Sequence, residues 1–146
     1  MIIAGEGSKT MSESEEQICL FRWAQWACGK YPELKLLFHV PNEGKRSVYT
    51  GARMRSEGLR AGVPDICLPV AKKRYHGLFV EMKVGKNKPT ANQIEWLSSL
   101  EEQGYMTAIC YGWGGAEDGI EKYLKEKRGG KNNTQTKNQA SILRRY

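Results

Sequence analysis

The chain contains no apolar run long enough to cross a membrane. Among its 146 residues, nowhere do about 18 apolar residues follow one another, the length at which a membrane-spanning helix becomes a candidate. The first residues also lack the apolar centre of a secretory signal peptide. We therefore expect a soluble protein of the cytoplasm with no membrane partner, built as one domain because this length is typical of a single domain.

Closely spaced cysteine pairs are absent as well. Cys19, Cys28, Cys67 and Cys110 stand in apolar or helical surroundings, and no two of them have the C-x-x-C spacing. Zinc sites and disulfide frameworks depend on such spacing or on an oxidising compartment. We expect four reduced thiols, because free cysteine is among the residue types most often buried.

Acidic residues are missing from 129–146, a polar segment with four basic residues. Its composition predicts a disordered basic tail. The whole chain carries a net charge of +7, and other basic clusters flank two carboxylates in the middle of the sequence. This arrangement favours a polyanionic substrate, with solvated surface charge as the alternative for any single residue. The candidate phosphate contacts are Lys45, Arg46, Arg53, Arg60 and Lys86.

The central motif is the segment 62–83, GVPDICLPVAKKRYHGLFVEMK. Two short apolar runs on either side of a basic turn at 71–76 predict a β-hairpin. Asp65 begins the first strand, whereas Glu81 and Lys83 end the second and share one face because strand side chains alternate. Two carboxylates held close together repel unless a cation joins them, and a hard divalent metal suits oxygen ligands. The hairpin therefore predicts a metal-binding acid pair beside an ammonium group. Taken singly, the same residues also fit an exposed Glu-Lys pair on an edge strand and an Asp at a proline turn.

The motif resembles a known nuclease superfamily. Pro64-Asp65 followed by Glu-Met-Lys at 81–83 resembles the PD-(D/E)XK pattern. The fuller pattern of GVPD at 62–65, the strand 77–83 and a downstream Gln93 is similar to the VRR-NUC family, in its stand-alone phage and bacterial members. The similarity extends over roughly 14–125. It implies an α/β fold with a restriction-endonuclease-like α-β-β-β-α-β core, in which helices flank a mixed central sheet.

The resemblance also implies an active site that uses Mg²⁺ or Mn²⁺. Lys83 would orient or deprotonate the attacking water and stabilise the charge of the transition state. A neighbouring cation predicts a lowered pKa for this lysine. The implied metal ligands are Glu16, Asp65, Glu81 and the backbone carbonyl of Met82, and the implied catalytic residues are Asp65, Glu81, Lys83 and Gln93.

A first helix is predicted from 12 to about 29. Two overlapping capping boxes lie within 12–17, and Gly29 would supply a left-handed C-terminal cap. Glu16 begins the apolar stripe of this helix, so its carboxylate can point at the sheet. The alternative for Glu16 is an acid favoured only by the helix dipole, and Glu15 is the competing candidate on a different face.

The segment between this helix and the central motif predicts two further elements. A strand at 35–40 carries His39, which we expect to be a structural residue or a hydrogen bonder at a loop end. The turn that follows contains Glu43, a second candidate acid. A short helix at 47–57 would carry basic side chains toward phosphates.

A third helix, a strand and a fourth helix are predicted after the motif. Thr90 and Gln93 form a T-x-x-Q capping box. Gln93 also begins the face that packs on the sheet, so it either closes the box or reaches the active site. A strand at 105–111 and an amphipathic helix at 116–127 complete the pattern.

Three segments are expected along the chain, namely a flexible N-terminus at 1–11, the nuclease domain at 12–128 and the basic tail. The resemblance implies a homodimeric, structure-selective DNA endonuclease of the Holliday-junction-resolvase type. The alternatives are a less selective nicking, restriction-like or flap nuclease, and a nucleic-acid-binding module without catalysis.

Overall fold

A computed structural model describes residues 1–5, 11–41 and 48–126 of the chain. The predicted tail at 129–146 lies outside the described residues. The candidate phosphate contacts Lys45 and Arg46, and the candidate acid Glu43, lie outside them too.

The described chain contains five strands and four α-helices. The strands are β1 (Ile2–Ala4), β2 (Phe38–His39), β3 (Ile66–Leu68), β4 (Leu78–Lys83) and β5 (Met106–Tyr111). The helices are α1 (Glu13–Ala27), α2 (Val48–Ser56), α3 (Ala91–Glu102) and α4 (Gly112–Lys125). With α2 set aside, the order α1-β2-β3-β4-α3-β5 confirms the predicted core.

The five strands form one mixed sheet in the order β1-β5-β4-β3-β2. β2, β3 and β4 pair antiparallel, whereas β5 runs parallel to both β4 and β1. Helix α3 makes the crossover between the parallel strands β4 and β5, which parallel pairing requires.

The two faces of the sheet carry different side chains because residues alternate along each strand. Leu78, Val80 and Met82 of β4 join the main apolar cluster with buried residues of α1 and α4. Glu81 and Lys83 point to the other face, where α3 packs and contributes the buried Leu97. The carboxylate and the ammonium thus lie on the α3 side, apart from the main core.

Two sequence predictions near the edges of the sheet are wrong. The prediction of a flexible N-terminus fails for Ile2–Ala4, which pairs with Ala108 to Cys110 of β5. The predicted strand at 35–40 is reduced to the two residues of β2, because Pro32–Leu36 forms a 3₁₀ helix. Proline suits the first turn of a helix, since its fixed φ is helical and its missing N–H would have no partner there.

The helix ends match the predictions in part. Ser12 and Glu15 form the capping box of α1, and Thr90 and Gln93 form that of α3. Gly29 is not left-handed, so the predicted cap at the end of α1 is wrong. No helix in the described ranges has both the length and the apolarity needed to cross a membrane. All four cysteines are free, with Cys67 and Cys110 buried and the others half-buried.

Candidate active site at the end of the hairpin

The hairpin brings Asp65 and Glu81 together as the sequence predicts. Ile66 pairs with Val80, so the next residues outward along the two strands are Asp65 and Glu81. The backbone N–H of Met82 donates to Asp65 Oδ2 over 2.8 Å. The backbone of Asp65 is also held, since its carbonyl accepts a hydrogen bond from the Val40 N–H at 2.7 Å. The Asp65 carboxylate is therefore fixed against the strand that carries Glu81.

Glu81 is fully buried and contacts two more of the predicted catalytic residues, Lys83 and Gln93. Its Oε1 lies 2.9 Å from Lys83 Nζ and accepts a hydrogen bond from Gln93 Nε2. Glu81 is 0 % exposed, and Lys83 and Gln93 are each 6 % exposed. A buried carboxylate needs such partners, because an isolated charge away from water is costly.

The surrounding acids hold Lys83 in its charged form. Burial by itself lowers the pKa of Lys83, but the hydrogen bond and charge of Glu81, with the charges of Glu13 and Asp65, leave this pKa raised. The predicted lowering concerns a site that holds a metal cation beside this lysine, and it stays a prediction. With these protein groups alone, Lys83 presents an ammonium charge at neutral pH.

Gln93 fulfils both of the roles that the sequence left open. Its Oε1 accepts the N–H of Thr90 over 2.8 Å, which closes the capping box of α3. Its Nε2 donates to Glu81. An amide has a separate acceptor and donor, so one side chain links the start of α3 to the acid pair.

Gly62 of the GVPD segment brings this segment against the first turn of α3. Its φ of +87° lies in the left-handed region that favours glycine. A Cβ at this position would lie 2.8 Å from the backbone carbon and oxygen of Asn92. Only glycine permits both the backbone angle and the approach, so the motif packs beside Gln93.

The three acids of α1 have different surroundings, and the prediction of Glu16 as a metal ligand stays a prediction. Glu16 is 1 % exposed, but its Oε2 accepts the backbone N–H of Trp113 over 2.7 Å, at the start of α4. Glu15 closes the capping box with Ser12. Glu13 instead reaches the site, with its Oε1 3.8 Å from Lys83 Nζ. Glu13 precedes Glu16 by three residues and so shares its helix face, a signal that could have added it to the candidates.

A small cavity opens beside the acid pair. Its volume is about 170 Å³, and it is lined by Glu13, Ser14, Gln17, His39, Asp65 and Met82. His39 Nδ1 lies 2.9 Å from the backbone oxygen of Asp65, which fits the predicted hydrogen bonder at a loop end. A cavity of about 380 Å³ lies near Met106 at the opposite end of β5, away from both carboxylates. We place the functional site at the smaller cavity because Asp65 and Glu13 line it, and Glu13 Oε1 lies 3.8 Å from Lys83 Nζ.

Comparison with known proteins decides the family. The sequence model of the family described as the VRR-NUC domain matches residues 30–113, which is more than half of the chain. The chain belongs to the VRR-NUC family. A solved structure described as a VRR_NUC domain protein is similar over 84 % of this chain and 96 % of its own, with 26 % identity and a TM-score of 0.71. No curated protein matches the chain.

Membership in the VRR-NUC family implies a nuclease of the PD-(D/E)XK type that acts on DNA. The family match covers the hairpin, α3 and β5 but not α1, which ends at Ala27. The four residues Asp65, Glu81, Lys83 and Gln93 therefore lie within the matched part. Glu13 and Glu16 lie before it.

Divalent metals are general in this family of nucleases, and the donor set of the site fits such an ion. Asp65 and Glu81 supply carboxylate oxygens from neighbouring strands, which are the ligands that Mg²⁺ and Mn²⁺ prefer. The described residues contain no group of three or more His, Cys, Asp or Glu side chains arranged for a metal. Mg²⁺ is compatible with this because it is commonly held by one or two carboxylates, with water and substrate phosphates completing its shell.

Three of the predicted phosphate contacts lie in the described part. Arg53, Arg60 and Lys86 are exposed. Arg53 Nε lies 2.9 Å from the Glu57 carboxylate, while Arg60 comes five residues before Asp65. The exposure of these three side chains fits a role in contacting a phosphate backbone, which stays a prediction.

Proposed function

We propose that this VRR-NUC protein is a divalent-metal-dependent DNA endonuclease that hydrolyses phosphodiester bonds in branched DNA. The observation that carries the proposal is the buried convergence of Lys83 and Gln93 on Glu81, with Asp65 on the adjacent strand. Burial of a carboxylate, an ammonium and an amide in one contact is unusual for a purely structural site and typical of catalytic ones.

The roles of the residues follow from their positions. Asp65, Glu81 and the Met82 carbonyl would hold Mg²⁺ or Mn²⁺. The bound metal would supply Lewis acidity at the scissile phosphate and lower the pKa of water there. Lys83 would stabilise the negative charge that develops on the phosphate through its ammonium group, which lies 2.9 Å from Glu81 Oε1 at the acid pair.

Two further residues would support this site. Gln93 would orient Glu81 through its amide, as outer-shell partners of metal ligands do. Glu13, rather than Glu16, would be the acid of α1 at the site, because it approaches Lys83 and lines the cavity with Asp65.

For the substrate, we propose a four-way junction cleaved by a homodimer, in which two copies of the site cut two strands. The proposal rests on the resemblance of the GVPD segment, the E-x-K strand and Gln93 to stand-alone members of the family. A flap or nicking nuclease acting as a monomer is the competing function, and a binding module without catalysis is the third.

The test is cleavage of an end-labelled four-way junction beside matched duplex, flap and single-strand DNA, in Mg²⁺, Mn²⁺ or EDTA. We expect metal-dependent paired nicks near the junction, absent in Glu81→Ala, and a dimer mass by light scattering. Equal cutting of all substrates by a monomer would support the nicking nuclease and remove the junction preference. Binding of DNA without cleavage in either metal would support the non-catalytic module.

A further inference from the structure

A groove beside the active site is lined by one stripe of α3 and by the segment before Asp65. Its lining residues are Ala61, Asn92, Glu95, Trp96 and Ser99, and its volume is about 270 Å³. The four helical positions are spaced i, i+3, i+4 and i+7, which places them on one face of α3. This volume lies just below the ~300 Å³ at which pockets for drug-sized ligands begin, so it fits one small planar group.

The groove and the catalytic site are both formed in part by the first turn of α3. Asn92 lines the groove, and the next residue, Gln93, binds Glu81. The backbone of Asn92 also packs against Gly62, three residues before Asp65. A group held in the groove is therefore positioned by the same helical turn that positions the acid pair.

The indole of Trp96 is oriented by its own hydrogen bond. Trp96 Nε1 donates to the backbone oxygen of Ala61 over 3.0 Å, and the side chain is only half-buried. A fixed, partly exposed aromatic ring of this kind is a stacking surface, since every nucleobase has a π-face.

The polar groups of the groove suit a base rather than a phosphate. The Glu95 carboxylate repels a phosphate but accepts hydrogen bonds from the N–H groups of a base edge, and the Asn92 amide can donate and accept. Two exposed cations are near these residues in the sequence, since Arg60 directly precedes Ala61 and Lys88 comes four residues before Asn92. Phosphates on either side of a bound base would meet these cations.

We propose that this groove, the Trp96 groove, binds one unpaired nucleobase of the substrate strand next to the cleaved phosphate. The inference rests on the proposed function and adds to it a requirement for an unpaired nucleotide at the branch point. Stacking on Trp96 and hydrogen bonds with Asn92 and Glu95 would then distinguish branched DNA from continuous duplex.

The test uses the full chain and branched DNA in EDTA, with a single fluorescent 2-aminopurine placed in turn at each position near the branch. We expect fluorescence quenching at one position through stacking on Trp96, lost in Trp96→Leu and kept in Trp96→Phe. The Phe variant keeps an aromatic face but loses the N–H that holds Ala61. Trp26→Leu is the matched control, because Trp26 is 84 % exposed on α1.

Affinity and cleavage give the second measurement. Loss of one base–aromatic stack weakens binding about 5- to 140-fold, so Trp96→Leu should bind branched DNA that much more weakly and leave duplex binding nearly unchanged. Cleavage in Mg²⁺ is measured on the same substrates.

Three outcomes would overturn the inference. One is the absence of any position whose quenching depends on Trp96, and another is equal loss in Trp96→Phe and Trp96→Leu, which would make the indole an anchor for Ala61. The third is a change of oligomeric mass in Trp96→Leu with quenching intact, which would make the groove a protein interface. If the wild type quenches through Trp96 but cuts no DNA, the proposed function fails while the groove remains a base-binding site.

Discussion

At the residue scale, Gln93 connects a helix cap with a buried carboxylate, so its two roles can be separated by mutation. Thr90→Ala removes the hydroxyl that accepts the Gln93 backbone N–H and should cost about 1 kcal/mol of folding free energy. It leaves the amide contact with Glu81 in place.

We predict that Gln93→Ala lowers the cleavage rate about 10- to 100-fold, as losses of outer-shell partners do, whereas Thr90→Ala keeps most of it. Cleavage rates and urea unfolding of both variants check this. If Thr90→Ala lost as much activity as Gln93→Ala, the effect of Gln93 would come from the cap and not from Glu81.

Glu13 and Glu16 share a helix face but should behave differently when replaced. Glu16 binds the first turn of α4 through the Trp113 N–H, and Glu13 approaches Lys83. We predict that Glu16→Ala lowers the free energy of unfolding by about 1–3 kcal/mol, the cost of a lost buried hydrogen bond to a charged group. More than half of the cleavage activity should remain at a temperature where the variant is folded.

Glu13→Gln should show the opposite pattern. We expect about tenfold slower cleavage and a change in unfolding free energy within about 0.5 kcal/mol, because the side chain is one-third exposed. Loss of activity in Glu16→Ala with Glu13→Gln unaffected would return Glu16 to the active site.

Tyr123 should make the free energy of unfolding depend on pH in the alkaline range. Its hydroxyl donates to the Val70 carbonyl over 2.7 Å, and burial raises the pKa of this phenol to about 12. The protonated phenol is favoured in the folded state, so its contribution is complete below the ordinary pKa near 10 and is lost as the pH rises toward 12.

We predict that the free energy of unfolding falls between pH 10 and 12 by up to about 3 kcal/mol from this group. Tyr123→Phe should be less stable at pH 8 but should fall less steeply. Denaturant unfolding of both proteins from pH 8 to 11.5 measures the difference in slope. Parallel curves would show that the phenol does not titrate with unfolding.

At the scale of elements, the turn that begins at Gly62 positions the first strand of the hairpin. Gly62→Ala would force a Cβ into the backbone of Asn92, whereas Gly58 has a similar positive φ, +104°, with nothing within 4 Å of an added Cβ. Gly58→Ala is therefore a matched control that carries only the backbone strain, about 1–2 kcal/mol.

We predict that Gly62→Ala is destabilised well beyond Gly58→Ala and also loses cleavage activity, because Asp65 follows three residues later. Thermal unfolding and cleavage of the two variants check this. Equal losses in both would mean that the approach to Asn92 does not position Asp65.

The sequence predicted the elements whose signals are local. The hairpin follows from two apolar runs around a basic turn, and the caps of α1 and α3 follow from Ser12 and Thr90. The family prediction, which the family match confirmed, depended on GVPD and the E-x-K strand, two motifs that lie close together in the chain. Asp65 and Glu81 meet through hairpin register alone, so sequence spacing was sufficient.

The elements that were missed depend on distant partners. Ile2–Ala4 has no local strand pattern, and it pairs with β5 about a hundred residues later. Helix α4 begins at Gly112, four residues before its predicted start, although glycines disfavour helices. Gly115 accounts for part of this early start. A Cβ added there would lie 2.6 Å from the Ala4 oxygen, so only glycine fits at this point of α4. The placement of Glu13 and Glu16 likewise depends on how α1 packs against α4.

At the scale of the whole molecule, the main apolar core and the candidate active site lie on opposite faces of the sheet. One face packs α1 and α4 into the main core through Leu78, Val80 and Met82. The other face, under α3, carries Glu81 and Lys83. Substitutions of the proposed catalytic side chains should therefore leave the main core intact, so that a loss of activity can be attributed to the reaction and not to unfolding.

The most direct measurement is the rate at which Asp65→Asn cleaves branched DNA in Mg²⁺, compared with the wild type at equal folded fraction. We predict a rate at least about 100-fold lower, because removal of a metal-binding carboxylate should exceed the effect of an outer-shell partner. The loss should persist at saturating DNA, since the proposed role of Asp65 is in the reaction and not in DNA binding. Cleavage by a folded Asp65→Asn protein at the wild-type rate would contradict the proposed active site.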